Sequence, residues 1–148
     1  MSTHESVVAA IQTQLADYAG TYPPEAVQRL VYFPEEWMPD STFETVYVLY
    51  PGDETIIPGS SCTREGRAEV VVAGMRRHYQ PTESEVRWQI ANTVADDITA
   101  AIFSDHTFGG EALSLVDQSL FIDRTQSARH EAYAIVWVRF VVRYVQAA

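Results

Sequence analysis

The residues best suited to metal chemistry are the histidines and the carboxylates near one of them. Asp105 and His106 adjoin each other, and Asp96 and Asp97 precede them in a predicted helix. Metal sites show recurrent ligand spacings, and none is present here. The remaining histidines, at positions 4, 78 and 130, stand apart in the sequence. We therefore expect a solvated helix end that runs into a loop, with no metal or other cofactor.

Nucleophilic and phosphate-binding chemistry have similarly little support. Cys62 lies in SSCTRE with no neighbouring histidine, so a free thiol is expected there. Gly109 and Gly110 follow a predicted helix, have no nearby lysine and do not fit GxGxxG spacing. Neither a GxSxG elbow nor an HExxH pair occurs. The sequence therefore predicts no catalytic residues and a protein that is not an enzyme.

Composition and charge narrow the possible partners. The chain has 148 residues, of which 47% are hydrophobic, and this predicts one folded domain over 1–148. The net charge is −10, and every basic residue is an arginine. Such acidity disfavours general binding to nucleic acids or anionic membranes. A single cysteine excludes an internal disulfide framework, and we expect neither a signal peptide nor a membrane span.

The first half of the chain predicts one helix and two strands. Residues 2–20 show a helical apolar stripe, and Ser2 with Glu5 fits a capping box. Residues 27–33 fit a short strand or a helical turn, and 34–44 a loop. A strand is predicted over 46–50, closed by a turn at PGDE, and another over 67–79. Glycine, serine and proline between them predict an exposed, flexible loop near 51–66.

The second half predicts a long helix and two further strands. A capping box at Thr82 and Glu85 begins the helix, which continues to residue 103. Its apolar face starts at Trp88, with Asp96 and Asp97 on the opposite side. A connector over 104–112, a strand over 113–125, a hairpin connection and a terminal strand follow. This order predicts an α+β fold in which two helices pack on one face of a mostly antiparallel sheet.

The terminal strand, EAYAIVWVRFVVRYV, has two different faces. Its even-numbered side chains are apolar throughout, so they should pack beneath the helices. Its odd-numbered face combines aromatic residues with arginine, a composition typical of protein interfaces. The alternative is an outer face partly covered by arginine stems. On the first interpretation, the candidates for subunit contacts are Tyr133, Ile135, Trp137, Arg139 and Arg143.

The order of these elements resembles that of the tail terminator (tail completion) proteins of long-tailed bacteriophages. The resemblance is carried mainly by RWQIANTVADDITAAIF and by AYAIVWVRFVVRYV, together with the YFPEEWMP segment. It implies a curved sheet backed by helices, and a hexameric ring that caps the tail tube, ends its polymerisation and joins the head-side connector. DNA would pass through the lumen without specific binding. The protein would be assembled in the host cytoplasm and would reside in the neck of the virion.

The same resemblance gives the loop near 51–66 a role in assembly. Such a segment would become ordered on a neighbouring ring, and its charged candidates for contact are Asp53, Glu54, Arg64 and Glu65. The partners would be further copies of the chain, the tail-tube protein and the connector or adaptor protein, with no membrane involved.

Two alternatives remain open at this point. The chain fits another neck component, such as a head-completion or adaptor protein, or a tail-tube subunit, although two capped helices are less expected in a tube. A small ligand-binding or enzymatic α+β domain is the alternative of another class. It would require a concave pocket with converging polar groups.

Overall fold

The regular structure comprises two helices and six strands in the part of the chain that the computed structural model describes, residues 2–29, 43–58, 62–77, 84–116, 119–123 and 133–147. The helices are α1 (His4–Asp17) and α2 (Ser84–Ser104). The strands are β1 (Ala26–Arg29), β2 (Thr45–Pro58), β3 (Thr63–Arg77), β4 (Ser114–Leu115), β5 (Phe121–Asp123) and β6 (Tyr133–Ala147).

All six strands belong to one sheet. Its order is β1-β2-β3-β6-β4, and β5 also pairs with β6. Only β1 and β2 are parallel, and the other neighbours are antiparallel. The β3–β6 ladder runs without interruption from Thr63 opposite Ala147 to Arg77 opposite Tyr133. The predicted α+β class with a mostly antiparallel sheet is confirmed.

Alternation along β6 produces the main core. We call the side that carries its even-numbered residues the inner face and the other side the outer face. The inner-face side chains of β6 from Ala134 to Tyr144 are fully buried, as predicted. Both helices pack on this face through the apolar stripes Val7, Val8, Ile11 and Leu15 of α1 and Val94, Ala95, Ile98, Ala101 and Ile102 of α2. The Phe140 and Phe108 rings stack with centroids 6.3 Å apart.

The start of α1 differs from the prediction by one residue. Thr3, not Ser2, is the N-cap, and its hydroxyl accepts a hydrogen bond from the Ser6 backbone N–H at 3.1 Å. The Ser6 hydroxyl in turn accepts a hydrogen bond from the Thr3 backbone N–H, so the capping box forms with Ser6 in place of Glu5. Ser2 instead donates its backbone N–H to the Val145 carbonyl oxygen of β6. The second predicted box lies partly outside the described residues, because Thr82 is among those not described.

The predicted loop over 51–66 is wrong, because β2 and β3 form a long hairpin there. β2 continues through the PGDE sequence to Pro58, and β3 begins at Thr63. A bulge accommodates the extra residue: Pro51 pairs with Val70 and Glu54 with Ala68, so Gly52 and Asp53 lie opposite the single residue Glu69. Residues 59–61 lie outside the described part.

Several other predicted elements change in length. The segment 27–33 contributes the short strand β1, and the strand predicted over 113–125 divides into β4 and β5. Backbone bonds from Leu113 and Val116 to Arg143 and Val141 keep this segment on the edge of β6. The predicted loop at 34–42 and the connection over 126–132 lie outside the described residues.

Trp88 and Asp97 do not lie where the helical pattern predicts. Trp88 is 52% exposed, and the first buried residue of α2 among those described is Ala91. Asp97 is only 8% exposed and accepts hydrogen bonds from the backbone N–H groups of Thr21 and Tyr22 at 3.1 and 2.8 Å. A Cβ atom at Gly20 would lie 2.5 Å from the Asp97 Cγ. Asp97 therefore fastens the segment after α1 to α2, whereas Asp96 is exposed as predicted.

The Asp97 contact leads to a stability prediction. Asp97→Ala leaves two backbone amides without their acceptor and should lower the free energy of unfolding by about 1–3 kcal/mol. Asp96→Ala is the matched control and should change it by less than about 0.5 kcal/mol. Urea denaturation followed by circular dichroism measures both. Equal stability of the two variants would contradict the role given to Asp97.

A charge in the main core should prevent folding. Phe140 is fully buried between the sheet and the helices, so Phe140→Asp places an unpaired carboxylate there. We expect a loss of at least about 4 kcal/mol and no cooperative thermal transition. Arg139→Asp changes the next residue, which is exposed on the outer face, and should retain the transition. Melting of Phe140→Asp near the wild-type temperature would contradict this account of the core.

Candidate interaction surface

The outer face of the sheet has an apolar half and a half rich in aromatic and charged residues. The β3–β6 register places Ala73 opposite Trp137 and Val71 opposite Arg139. Neither helix packs on the outer face. The burial of each half therefore depends on other side chains of the sheet.

The apolar half already forms a second cluster within the chain. Its buried members are Val46, Val48, Ala73, Met75, Tyr133 and Ile135, and Phe43 and Trp137 pack at its margin. Tyr133 and Ile135 are only 4% and 3% exposed. These two candidates for subunit contacts therefore contribute mainly to packing within one subunit.

The other half contains a depression of about 270 Å³, which we call the outer pocket. It lies across four strands, and its walls include Tyr50, Glu69, Phe121, Asp123, Trp137 and Arg139. The Arg139 guanidinium lies 5.3 Å from the centroid of the Phe121 ring, which is a cation–π distance. Phe121 is 55% exposed.

Five residues of the outer pocket, Val71 among them, were not predicted from the sequence. Trp137 and Arg139 follow from alternation along one strand, whereas Tyr50, Glu69, Phe121 and Asp123 come from three other strands. Their position depends on strand register. Tyr50, Glu69 and Phe121 each lay in a predicted strand, but those predictions did not say which strands are neighbours.

An ion-pair cluster joins the last subunit-contact candidate to the hairpin. The Arg143 Nε donates to Glu65 Oε1 at 2.8 Å, and Arg67 Nε donates to Glu65 Oε2 at 3.1 Å. These bonds, that of Arg143 first, lower the pKa of Glu65 below its ordinary value. Glu65 and Arg143 come from separate candidate groups, and the structure brings them together on the outer face.

The remaining hairpin candidates differ in their surroundings. Asp53 is exposed in the bulge. Glu54 accepts a hydrogen bond from the Tyr144 hydroxyl, and burial together with that carboxylate raises the pKa of Tyr144. Tyr144 lies directly over Gly66, since a Cβ atom there would stand 2.2 Å from its Cζ. Arg64 is exposed near the end of the hairpin.

Asp105, which the sequence offered as a possible metal ligand, has a local structural role. Asp105 accepts hydrogen bonds from the Thr107 hydroxyl and from the backbone N–H groups of Thr107 and Gly109, and these bonds lower its pKa. The turn continues through Phe108, Gly109 and Gly110, all with positive φ, which explains the paired glycines. Among the described residues, no group of three potential metal ligands occurs.

The helix side of the molecule has a wider groove of about 680 Å³. It lies between α1 and the turn after α2, and Ala9, Ala10, Tyr18 and Phe108 provide its apolar surface. It is open to solvent, and the carboxylates of Asp17, Asp105 and Glu111 also line it. Within the described segments, no helix is long and apolar enough to span a membrane.

Comparison with known proteins adds no relative. No model of a protein family matches the chain, and no curated protein matches its sequence.

The Glu65 cluster predicts a pH dependence of stability. The ordinary pKa of the Glu65 carboxyl group is 4.5, and its pKa is lower in the folded chain. Such a carboxylate stabilises the fold above the unfolded pKa and loses that contribution as pH falls through the folded pKa. Glu65→Gln should therefore lower the free energy of unfolding at pH 7, by less than about 1 kcal/mol because the cluster is partly exposed.

The difference between wild type and Glu65→Gln should shrink below about pH 4 and in about 1 M NaCl. Chemical denaturation across pH and salt measures it. A difference that stays constant under both changes would show that the carboxylate charge is not its source.

Proposed function

We propose that the chain is a structural virion protein of a long-tailed bacteriophage, the subunit of a ring that caps the tail tube. Six copies would form the ring, end tube polymerisation and join the tail to the head-side connector. DNA would pass through the lumen. The place of action would be the neck of the virion, after assembly in the host cytoplasm.

The observation that carries this proposal is the contrast between the two faces of β6. The inner face is filled by both helices, whereas Trp137 and Arg139 remain accessible on the outer face beside an exposed Phe121. Trp and Arg are the residues that most often dominate the energetics of protein interfaces. They stand on a strand that is paired on both sides, so a partner would meet a rigid surface at little conformational cost.

The hairpin offers a second surface at a different place in the subunit. At and beyond the bulge, Asp53, Glu54, Thr55, Ile56 and Pro58 are exposed, so this end of β2 is open to solvent. A subunit with two distinct contact surfaces associates head to tail, and such contacts close into a ring when the rotation between copies permits.

The charge of the chain is compatible with a channel through which DNA slides. At −10 per copy, a ring carries a strongly negative field. Repulsion from the phosphate backbone would oppose adhesion of DNA to the wall. For DNA to slide through the channel, weak binding to the wall matters more than any specific contact.

The oligomeric state gives the direct test. Mass photometry and negative-stain electron microscopy of the purified chain, alone and with the matching tail-tube protein, should show closed rings of six copies that cap tube ends. A chain that stays monomeric in the presence of the tube protein would refute the proposal, and turnover of a small molecule would favour the enzymatic alternative.

Two outer-face variants should disrupt the ring without unfolding the chain. Trp137→Ala removes an aromatic anchor and Arg139→Glu reverses an exposed charge, so both should shift the assembly toward monomer, with association at least about tenfold weaker. Phe103→Ala is the control, because Phe103 is 58% exposed on α2, away from the outer face. Mass photometry gives the assembly state, and far-ultraviolet circular dichroism should remain near that of the wild type. Unchanged assembly in both variants would show that this face is only covered surface.

A further inference from the structure

We infer that the outer pocket binds the guanidinium group of Arg64 from the hairpin of a second copy of this chain. The inference rests on the proposed ring and specifies which surface of one subunit meets which surface of the next.

The chemistry of the outer pocket favours a cationic, planar group. Among the described residues, its walls carry three aromatic rings, from Tyr50, Phe121 and Trp137, together with the carboxylates of Glu69 and Asp123 and the guanidinium of Arg139. Arg139 lies over Phe121, so one arginine already stacks on an aromatic ring at this site. A second guanidinium would gain cation–π contact with the other rings and would donate charge-assisted hydrogen bonds to the carboxylates. At about 270 Å³, the space suits one long side chain.

Arg64 is the arginine best placed to be that occupant. In the described part of the chain, Arg29, Arg67, Arg76 and Arg143 form ion pairs, and Arg139 stacks on Phe121. Arg77 and Arg87 have contacts as well. Arg64 is exposed near the hairpin end and makes no ion pair, side-chain hydrogen bond or ring contact with any described residue. Since the chain has no lysine, arginine is its only permanently cationic side chain.

The position of Arg64 excludes contact with the pocket of its own chain. By alternation Arg64 lies on the inner face, while the pocket opens on the outer face at the level of Val71. Seven residues of β3 separate the two levels, or about 24 Å at 3.4 Å per residue. The contact must therefore join two copies. It places different surfaces against each other, and such a heterologous contact generates a closed ring or a filament.

Charge reversal tests the contact. Arg64→Glu and Glu69→Arg should each weaken association at least about tenfold, because each places like charges together. The double variant Arg64→Glu/Glu69→Arg should recover assembly, and so should an equimolar mixture of the two single variants, in which reversed pairs alternate with native pairs. Asp96→Arg, an exposed reversal on α2, should assemble as the wild type does. Circular dichroism confirms that each variant is folded.

Cross-linking from the single native cysteine gives an independent test. Cys62 is exposed two residues before Arg64. A photo-cross-linker on Cys62, in a mixture of ¹⁴N- and ¹⁵N-labelled chains at ring-forming concentration, should give mixed-isotope cross-links to peptides that contain Phe121 or Trp137.

The outcomes separate this inference from the proposed function. Two results together overturn the inference and leave the proposed ring intact: Arg64→Glu still forms rings, and wild-type rings give no mixed-isotope cross-links. A wild-type chain that remains monomeric with its tube protein overturns both. Capture of free arginine or of another protein's arginine by the pocket, with no cross-link between copies, also refutes a second copy as the occupant.

Discussion

The continuous pairing of β3 with β6 is the constraint on which the rest of the structure depends. Fifteen residue pairs, from Thr63 with Ala147 to Arg77 with Tyr133, fix which side chains share a face. A shift of one residue would transfer Val138 and Phe140 to the outer face and turn Arg139 and Arg143 toward the helices. Burying two unpaired guanidinium groups would cost far more than a few altered backbone bonds. The register is therefore held by the contrast between faces as much as by the backbone.

This register gives the inner face of β6 and the two halves of its outer face different surroundings. Along the inner face, one apolar series serves both helices. On the outer face, Tyr133 and Ile135 pack within the chain, and only from Trp137 onward does the strand present accessible side chains. The surface available for recognition is thus smaller than the alternation of residues suggests. It is also more specific, because its carboxylates and aromatic rings come from neighbouring strands.

Local patterns in the sequence predicted the two helices, the inner face of β6 and the α+β class, because these depend on periodicity within one segment. The hairpin was missed because PGDE and PGSS are turn-forming by composition. Pairing with β3 overrides that tendency in PGDE, and the strand continues around Gly52 and Asp53 by means of a bulge. Asp97 was misplaced for a related reason: its hydrogen-bond donors, Thr21 and Tyr22, are more than seventy residues away in sequence. The outer pocket required the register of four strands, which no single segment determines.

The bulge at Gly52 and Asp53 has a consequence for how such a subunit can diversify. It reverses the alternation, so that Glu54 turns to the inner face and meets Tyr144. Beyond it, the β2 residues Thr55, Ile56 and Pro58 are exposed. Residues added there in pairs on each strand would extend the hairpin by about 7 Å per step and preserve its faces. The main core would not change. The reach of the hairpin can therefore change while every existing residue keeps the face of the sheet on which it lies.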